Sequence, residues 1–450
     1  IKNNTIKNFS WSNSGNGAWT AILVGSASIA TIDGNNVGNN TSTGSITTSN
    51  GASNGVVTGI SITSTSAVDC INNRIGSITA NSSGFVVAVN AINKGTTTGT
   101  TTITNNTIGS SSVSSSIYSS TNIASQNVKG VVCTGTGTNT ISNNEIGSLT
   151  TGSTSGVVNG IDLGAGTNSV NANFIYNLSS PNSTSTTLNG INLAASGTNT
   201  CTNNIILLGN NYANTINGVN EIASTTANNF YHNTIYISGA PTSAALNSIG
   251  INSLSVANNR NIKNNLIFNN RLNGTGATGK NYAILLATKT GGTLVCDYNN
   301  LYVTSDATYN YVGKYGSNNK QLLSNWQNVV SSNDANSIST NPNFVNANYT
   351  SVGYKTTSAS NGNTEASVTT DFAGGTRFST PQMGAWEMYS TWNGSAWDVS
   401  PSVSLNATIN GNYSGAGFEC LDLTVNAGKQ FSLTSGTLTV NGNMTLKSDA

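Results

Sequence analysis

Aliphatic residues recur along the chain in one phrase, aliphatic-x-Asn-Asn-x-aliphatic or a close variant of it. It reads IKNNTI from Ile1, IDGNNV from Ile32, CINNRI from Cys70, ITNNTI from Ile103 and ISNNEI from Ile141. It returns as VNANFI from Val170, CTNNII from Cys201, FYHNTI from Phe230, IKNNLI from Ile262 and CDYNNL from Cys296. Successive phrases begin 29 to 38 residues apart, the length of one supersecondary unit with loop insertions. A second phrase falls between them: VTGISI from Val57, VKGVVC from Val128, VNGIDL from Val158, LNGINL from Leu188 and INGVNE from Ile216. Each period therefore holds at least two short alternating strands divided by Gly and Asn corners. One such unit cannot bury its own apolar side, but a stack of parallel-paired units can. The expectation is an all-β parallel β-helix, a solenoid, over residues 1–301, with Ile75, Ile108, Ile146, Ile206, Ile235 and Ile267 pointing inward.

The paired asparagines suit corners, because Asn tolerates the left-handed backbone region better than most residues. Corners stacked in register place side-chain amides one above another. An amide ladder is expected through Asn72, Asn105, Asn143, Asn203 and Asn264, each bonded to the coils above and below. The same alignment sets Asp162 beside Asn192 and Asn220, and Glu145 beside Arg74 and Thr107, so no two carboxylates stack. Cys70, Cys201 and Cys296 occupy the aliphatic position of the phrase and read as core fillers. Five widely spaced cysteines with no C-x-x-C pair do not indicate a disulfide framework.

After Leu301 the rhythm breaks. An irregular section is expected over 302–390, with one helical phrase, Asn318 to Val330, whose Leu322, Leu323, Trp326, Val329 and Val330 form an apolar stripe suited to a plug or brace. Residues 391–450 resume strand alternation in LDLTVNAGKQFSLTSGTLTVNGNMTL, the start of a further β-strand-repeat segment. The chain opens within one repeat and stops within another, so a piece of a longer protein is expected.

Composition narrows the function classes. Of 450 residues only 7% are charged, the net charge is +1, and 36% are hydrophobic. Disorder needs low hydrophobicity with high net charge, and nucleic-acid binding draws on clustered Lys and Arg; neither condition is met. No apolar run approaches the roughly 20 residues of a membrane-spanning helix.

The run SNWQNVVSSNDANSISTNPNFV, then DFAGGTRF and PQMGAWE, resembles the closing section of secreted pectate-lyase-like right-handed β-helix proteins. TWNGSAW, NATINGNYS and the strand repeats after them resemble giant cell-surface proteins exported by the type IX secretion system. The resemblance implies a right-handed helix, a secreted or cell-surface location, and secretion machinery as a partner during export. It carries no reaction with it.

Candidate chemistry is sparse. Asp371 and Glu387, with Arg377 between them, read as an ion pair securing the cap. His232, the one histidine, replaces the first Asn of a corner and has no companion ligands in sequence. No metal or cofactor is expected. Between Glu221 and Asp297 there is no acid, while Arg260, Lys263, Arg271, Lys280 and Lys289 all fall there. With Tyr298 and Tyr302 nearby, Arg260, Lys263, Arg271 and Lys280 form a candidate surface for anionic glycans or other cell-surface proteins. The Thr runs raise ice binding, which needs a flat, regular Thr array. Thr96–98 and Thr100–102 fall where insertions vary in length, and that reading is set aside. The expected function is a non-catalytic extracellular rod, stalk or adhesin segment; the alternative is a polysaccharide-binding or polysaccharide-degrading β-helix.

Overall fold

The computed structural model describes the chain except for residues 15–17, 26–28, 52–53, 83, 96, 121–122, 124, 182–184, 223–226, 242–244, 275–276, 289, 305–307, 331–332, 348–349, 358–359, 398, 404 and 448–450, and for the side chain of Val352. It divides into two compact units, Ile1–Asn341 with Gly362–Ala385, and Pro342–Asn361 with Trp386–Ala450. The irregular section expected over 302–390 is thus shared between them.

The first unit is a right-handed parallel β-helix. Each coil contributes a strand to each of three sheets. In one coil these are Thr138–Ser142 in sheet 1, Glu145–Thr151 in sheet 2 and Val157–Leu163 in sheet 3. Each pairs in parallel with its equivalent one coil later: Ile141 with Val170, Ile146 with Ile175, and Ile161 with Ile191. Ile75, Ile108, Ile146, Ile206, Ile235 and Ile267 are all fully buried, as their place in the phrase requires. Cys70, Cys133, Cys201 and Cys296 are buried free thiols in the same interior. Burial pushes the thiols of Cys70, Cys133 and Cys201 up to about 12, which keeps them protonated and inert.

The second phrase bends inside sheet 3. Val158, Ile161 and Leu163 belong to the core. A Cβ on Gly160 would lie 2.6 Å from Ile175 Cγ2 and 2.7 Å from Gly190 O, so Gly160 also faces inward where no side chain fits. Two consecutive inward positions leave Asn159 and Asp162 on the outer side.

The corner after sheet 1 divides labour between its two asparagines, and this corrects the expected ladder. Asn72, Asn105, Asn143, Asn203 and Asn264 take the left-handed turn, with φ between 54° and 58°. The ladder runs one residue later, from Asn4 through Asn35, Asn73, Asn106, Asn144, Asn173, Asn204, Asn233 and Asn265 to Asn299. In each rung the Nδ2 group donates to the next Oδ1, as Asn106 does to Asn144 at 2.9 Å. From Asn35 onward it also donates to a carbonyl of the preceding coil, as Asn144 does to Ile103 O at 2.9 Å. The acceptor Oδ1 takes the backbone N–H of the previous rung as well, as Asn144 does from Asn106 at 3.0 Å. The first asparagine cannot do this, because its left-handed backbone turns its side chain away from the coil interior. Ala172, His232 and Tyr298 occupy the same corner at φ 53°, 55° and 54°, so stacking enforces that conformation where the residue does not favour it.

The helical phrase is shorter than expected. Asn318–Lys320 is a strand antiparallel to Asn310–Tyr315, and the helix covers only Leu323–Gln327. Leu322 is exposed, whereas Trp326 is fully buried at the end of the core. Its indole Nε1 donates to Asp334 Oδ2 at 2.7 Å, and Asp334 Oδ1 accepts the last rung, Asn299, at 3.2 Å. The plug helix and the amide ladder therefore end on one carboxylate.

The second unit is a smaller parallel stack. Tyr389–Trp392, Asn406–Ile409, Leu423–Val425 and Met444–Leu446 pair in that order over a core of Ala407, Ile409, Tyr413, Cys420, Leu423 and Val425. Trp392, Trp397, Tyr413, Phe418 and Phe431 pack ring against ring beside it.

Candidate functional site: outer faces and charged groups of the β-helix

The candidate glycan residues do not meet on one surface. Arg260 and Arg271 are completely buried. Arg260 continues an inward row of sheet 1 in which Asn139, Asn168, Asn199 and Asn228 donate amide to amide at 2.7 to 2.8 Å. That row ends on Glu221, whose Oε1 accepts Asn228 Nδ2 at 2.5 Å. Ser253 bridges the charges: its hydroxyl donates to Glu221 and accepts Arg260 Nη1 at 2.9 Å. Burial raises the Glu221 carboxyl, against the hydrogen bonds of Ser253 and Asn228 and the Arg260 charge. Arg271 donates to the carbonyls of Asn210 and Tyr212 at 3.4 and 2.6 Å, tying a loop to the coils, and burial lowers it to about 10.

Lys263 pairs with Glu365 at 3.5 Å. Tyr302 packs at a tilt on Phe268 at 5.0 Å, and Phe268 likewise on Tyr236 at 5.3 Å, along the outer side of sheet 2. Tyr298 is a corner residue. Lys280 lies by other tyrosines than the expected Tyr298 and Tyr302: its Nζ is 5.1 Å from the Tyr309 ring and 6.0 Å from that of Tyr311. Lys289 lies outside the described residues. Period-two alternation sets Arg260 on the inward face with Ile262, and its register opposite Asn228 brings it to the end of the amide row.

Residues 362–385 run back along the coils as a strap. Arg377 Nη2 donates to Asn203 Oδ1 at 2.6 Å and to the carbonyls of Gly384 and Ala385, while Asn203 Nδ2 donates to Thr370 O. Asp371 Oδ1 accepts the backbone N–H groups of Ala373 and Gly375 and shapes a turn. Glu387 is fully buried and belongs to the second unit. His232, besides turning its corner, places Nδ1 3.0 Å from Gln382 O, and Asn264 Nδ2 lies 3.0 Å from its Nε2. An Nδ1–H donor and an Nε2 acceptor define one neutral tautomer. Burial, with the Arg377 charge second, holds His232 well below the usual imidazole range.

Two outer faces carry regular rows, buried on sheet 3 and half-exposed to exposed on sheet 1. On sheet 3, Asn217 donates to Asn189 and Asn189 to Asn159, at 2.8 and 2.9 Å. A parallel row runs from Asn252 through Asn220 and Asn192 to Asp162 at 2.7 to 2.9 Å, and Lys129 meets the Asp162 carboxylate at 2.5 Å. In the next coils these rows give way to Ile249, Tyr282 and Leu285, packed against half-exposed Tyr311. The Tyr282 and Tyr311 rings stack at 5.6 Å, beside Lys280.

On sheet 1 the strand Thr101–Thr104 takes in Thr101 and Thr102, which corrects their assignment to an insertion; Thr97, Thr98 and Thr100 precede the strand, as expected of an insertion, and Thr96 lies outside the described residues. Thr102, Thr140, Ser169 and Thr200 lie in one cross-strand column. Thr138, Thr167 and Thr198 continue a second column, and Thr104, Ser142, Asn171 and Thr202 a third. The residues between them, including Ile103, Ile141, Val170 and Cys201, point into the core. No family, no curated protein and no solved structure matches the chain.

Proposed function

We propose that the protein is a non-catalytic β-helical rod, a stalk or adhesin segment presented outside the cell. The observation that carries this reading is where the charged groups are used. Asp162 terminates an outer amide row and holds Lys129, Glu221 terminates an inner row, Asp334 receives the corner ladder, and Glu365 ties Lys263 to the strap. Each of these carboxylates accepts bonds that hold the scaffold. The closing phrases and the TWNGSAW-type repeats support export by a type IX route, with the secretion machinery as a transient partner. The test incubates purified protein with a panel of acidic and neutral polysaccharides and measures new reducing ends and unsaturated products. No product is expected; cleavage abolished by Asp162→Asn or Glu221→Gln in a folded protein overturns the reading.

A second reading, polysaccharide binding, is favoured by the later coils of sheet 3, where half-exposed Lys280 lies near the half-exposed Tyr309 and Tyr311 rings. Sugars offer ring faces to such tyrosines. Glycan binding that disappears in Tyr311→Ala with Lys280→Ala would support it.

A further inference from the structure

We infer that the outer face of sheet 1 is an ice-binding surface. The inference rests on register and surface chemistry and is independent of the stalk reading. Four successive coils bring Thr102, Thr140, Ser169 and Thr200 into one column, with Thr138 and Thr167 in the next. Parallel pairing spaces the residues of one column about 4.8 Å apart along the helix axis, and neighbouring columns, set by alternate residues of one strand, stand about 6.6 Å apart. The result is a two-dimensional array of hydroxyls, with methyl groups at each Thr, on a continuous hydrogen-bonded sheet.

Three observations select the occupant. Thr138, Thr167 and Ser169 are exposed and Thr102, Thr140 and Thr200 half-exposed, so the array is open. Among the described residues, the hydroxyls of Thr102, Thr138, Thr140 and Thr167 make no hydrogen bond within the protein, which leaves them for water. Between Asp69 and Lys263 the outward positions of these strands carry no charge. An uncharged face is complementary to an uncharged partner and offers nothing to an acidic or basic one. A charged or irregular surface holds its first water layer without common order. An array of hydroxyls in register holds that layer at fixed repeats in two directions, and the threonine methyls between them limit competing orientations. The partner that offers a matching periodic set of oxygens is the ice lattice.

The buried side of the same strands explains the regularity. Asn139, Asn168 and Asn199 bond coil to coil directly beneath the array and lock the strands in register. A one-residue slip would turn every hydroxyl inward.

The test uses ice itself as the probe. Protein in buffer is exposed to a slowly growing ice surface, its incorporation is measured, and single crystals are watched for faceting and arrested growth. Thr140→Lys and Thr167→Lys place charge and bulk within the array; Thr79→Lys, on the outer side of sheet 2, is the control, and thermal melts verify folding. Incorporation and faceting by the wild type and Thr79→Lys, lost in Thr140→Lys and Thr167→Lys, support the inference. A folded wild type excluded from ice overturns it whether or not the variants fold. Folded Thr140→Lys and Thr167→Lys proteins that both shape ice as the wild type does overturn the placement. Binding to crystalline cellulose or chitin that Thr140→Lys removes, with no effect on ice, identifies a different periodic solid and also overturns it.

Discussion

Coils between Ile103 and Leu193 and coils between Glu221 and Asn281 share one backbone plan but fill it differently. In sheet 3 the earlier coils stack Val128, Val158 and Leu188 inward, followed by Ile216; the later ones place Ser248, Asn281 and Asn310 at the same register. Another inward row passes from Cys133, Leu163 and Leu193 to Glu221 and Ser253. In the earlier region a row is satisfied by repetition alone, since aliphatic stacks on aliphatic and amide bonds to amide. In the later region rows stop, and a row of donors that stops needs a group that only accepts. Glu221 and Asp334 fill that role for the inner rows, the first facing Arg260 through Ser253 and the second an indole N–H; Asp162, with Lys129, does the same for an outer row that stops within the earlier coils. Repetition makes buried polarity tolerable, and its interruption is where charge enters the fold.

The largest expected effect comes from breaking a satisfied row in the earlier region. Asn144→Ala leaves the Asn106 N–H and Ile103 O without their partner in a dry interior and removes one bond each from the Asn106 amide and Asn173 Oδ1, which keep others. At about 1 to 3 kcal/mol for each buried group left unsatisfied and about 1 kcal/mol for each further bond lost, the loss should be about 4 kcal/mol or more by denaturant unfolding. The adjacent Asn143→Ala should cost only about 1 kcal/mol, the strain of a left-handed alanine that Ala172 already bears. Equal losses at the two positions would return the ladder to the first asparagine.

In the later region Glu221→Gln should cost about 3 to 5 kcal/mol, because it leaves Arg260 buried without its counter-charge. It should also change the pH profile. A carboxyl raised in the folded state contributes stability that is fully present below its unfolded value, about 4.5, and lost as pH rises through the higher native value. The Gln variant should lack that decline; an unchanged profile would show that Glu221 does not titrate with folding.

The smallest effect is local. His232 is neutral in the fold and held below its ordinary value of 6.5, so its contribution is present above that pH and lost as pH falls through the lower native value. Protonation sets an Nε2–H against the Asn264 amide. Amide hydrogen exchange, corrected for its intrinsic pH dependence, should therefore quicken in residues 363–385 on acidification, while the corner ladder stays protected. Uniform protection across the strap would break this assignment.

By itself the sequence determined the coil period, the inward aliphatic row and the use of Asn at corners. Each follows from local alternation and from backbone preferences that neighbouring residues share. The alignment of phrases also placed Asp162 opposite Asn192, and Glu145 opposite Thr107, as the strands pair. Only the tertiary structure decided which asparagine of each pair stacks, because both suit a corner and the choice depends on which side chain faces the next coil. It likewise decided what surrounds Arg260. Alternation sets it inward with Ile262, but the row of amides and the Glu221 carboxylate are brought around it from other coils. The Thr strands are the clearest case. Each alternates in sequence, but loops of unequal length hide their alignment, and columns exist only after hydrogen bonding sets every strand at one height. Alternation along a strand is a local property, whereas order across strands belongs to the stack.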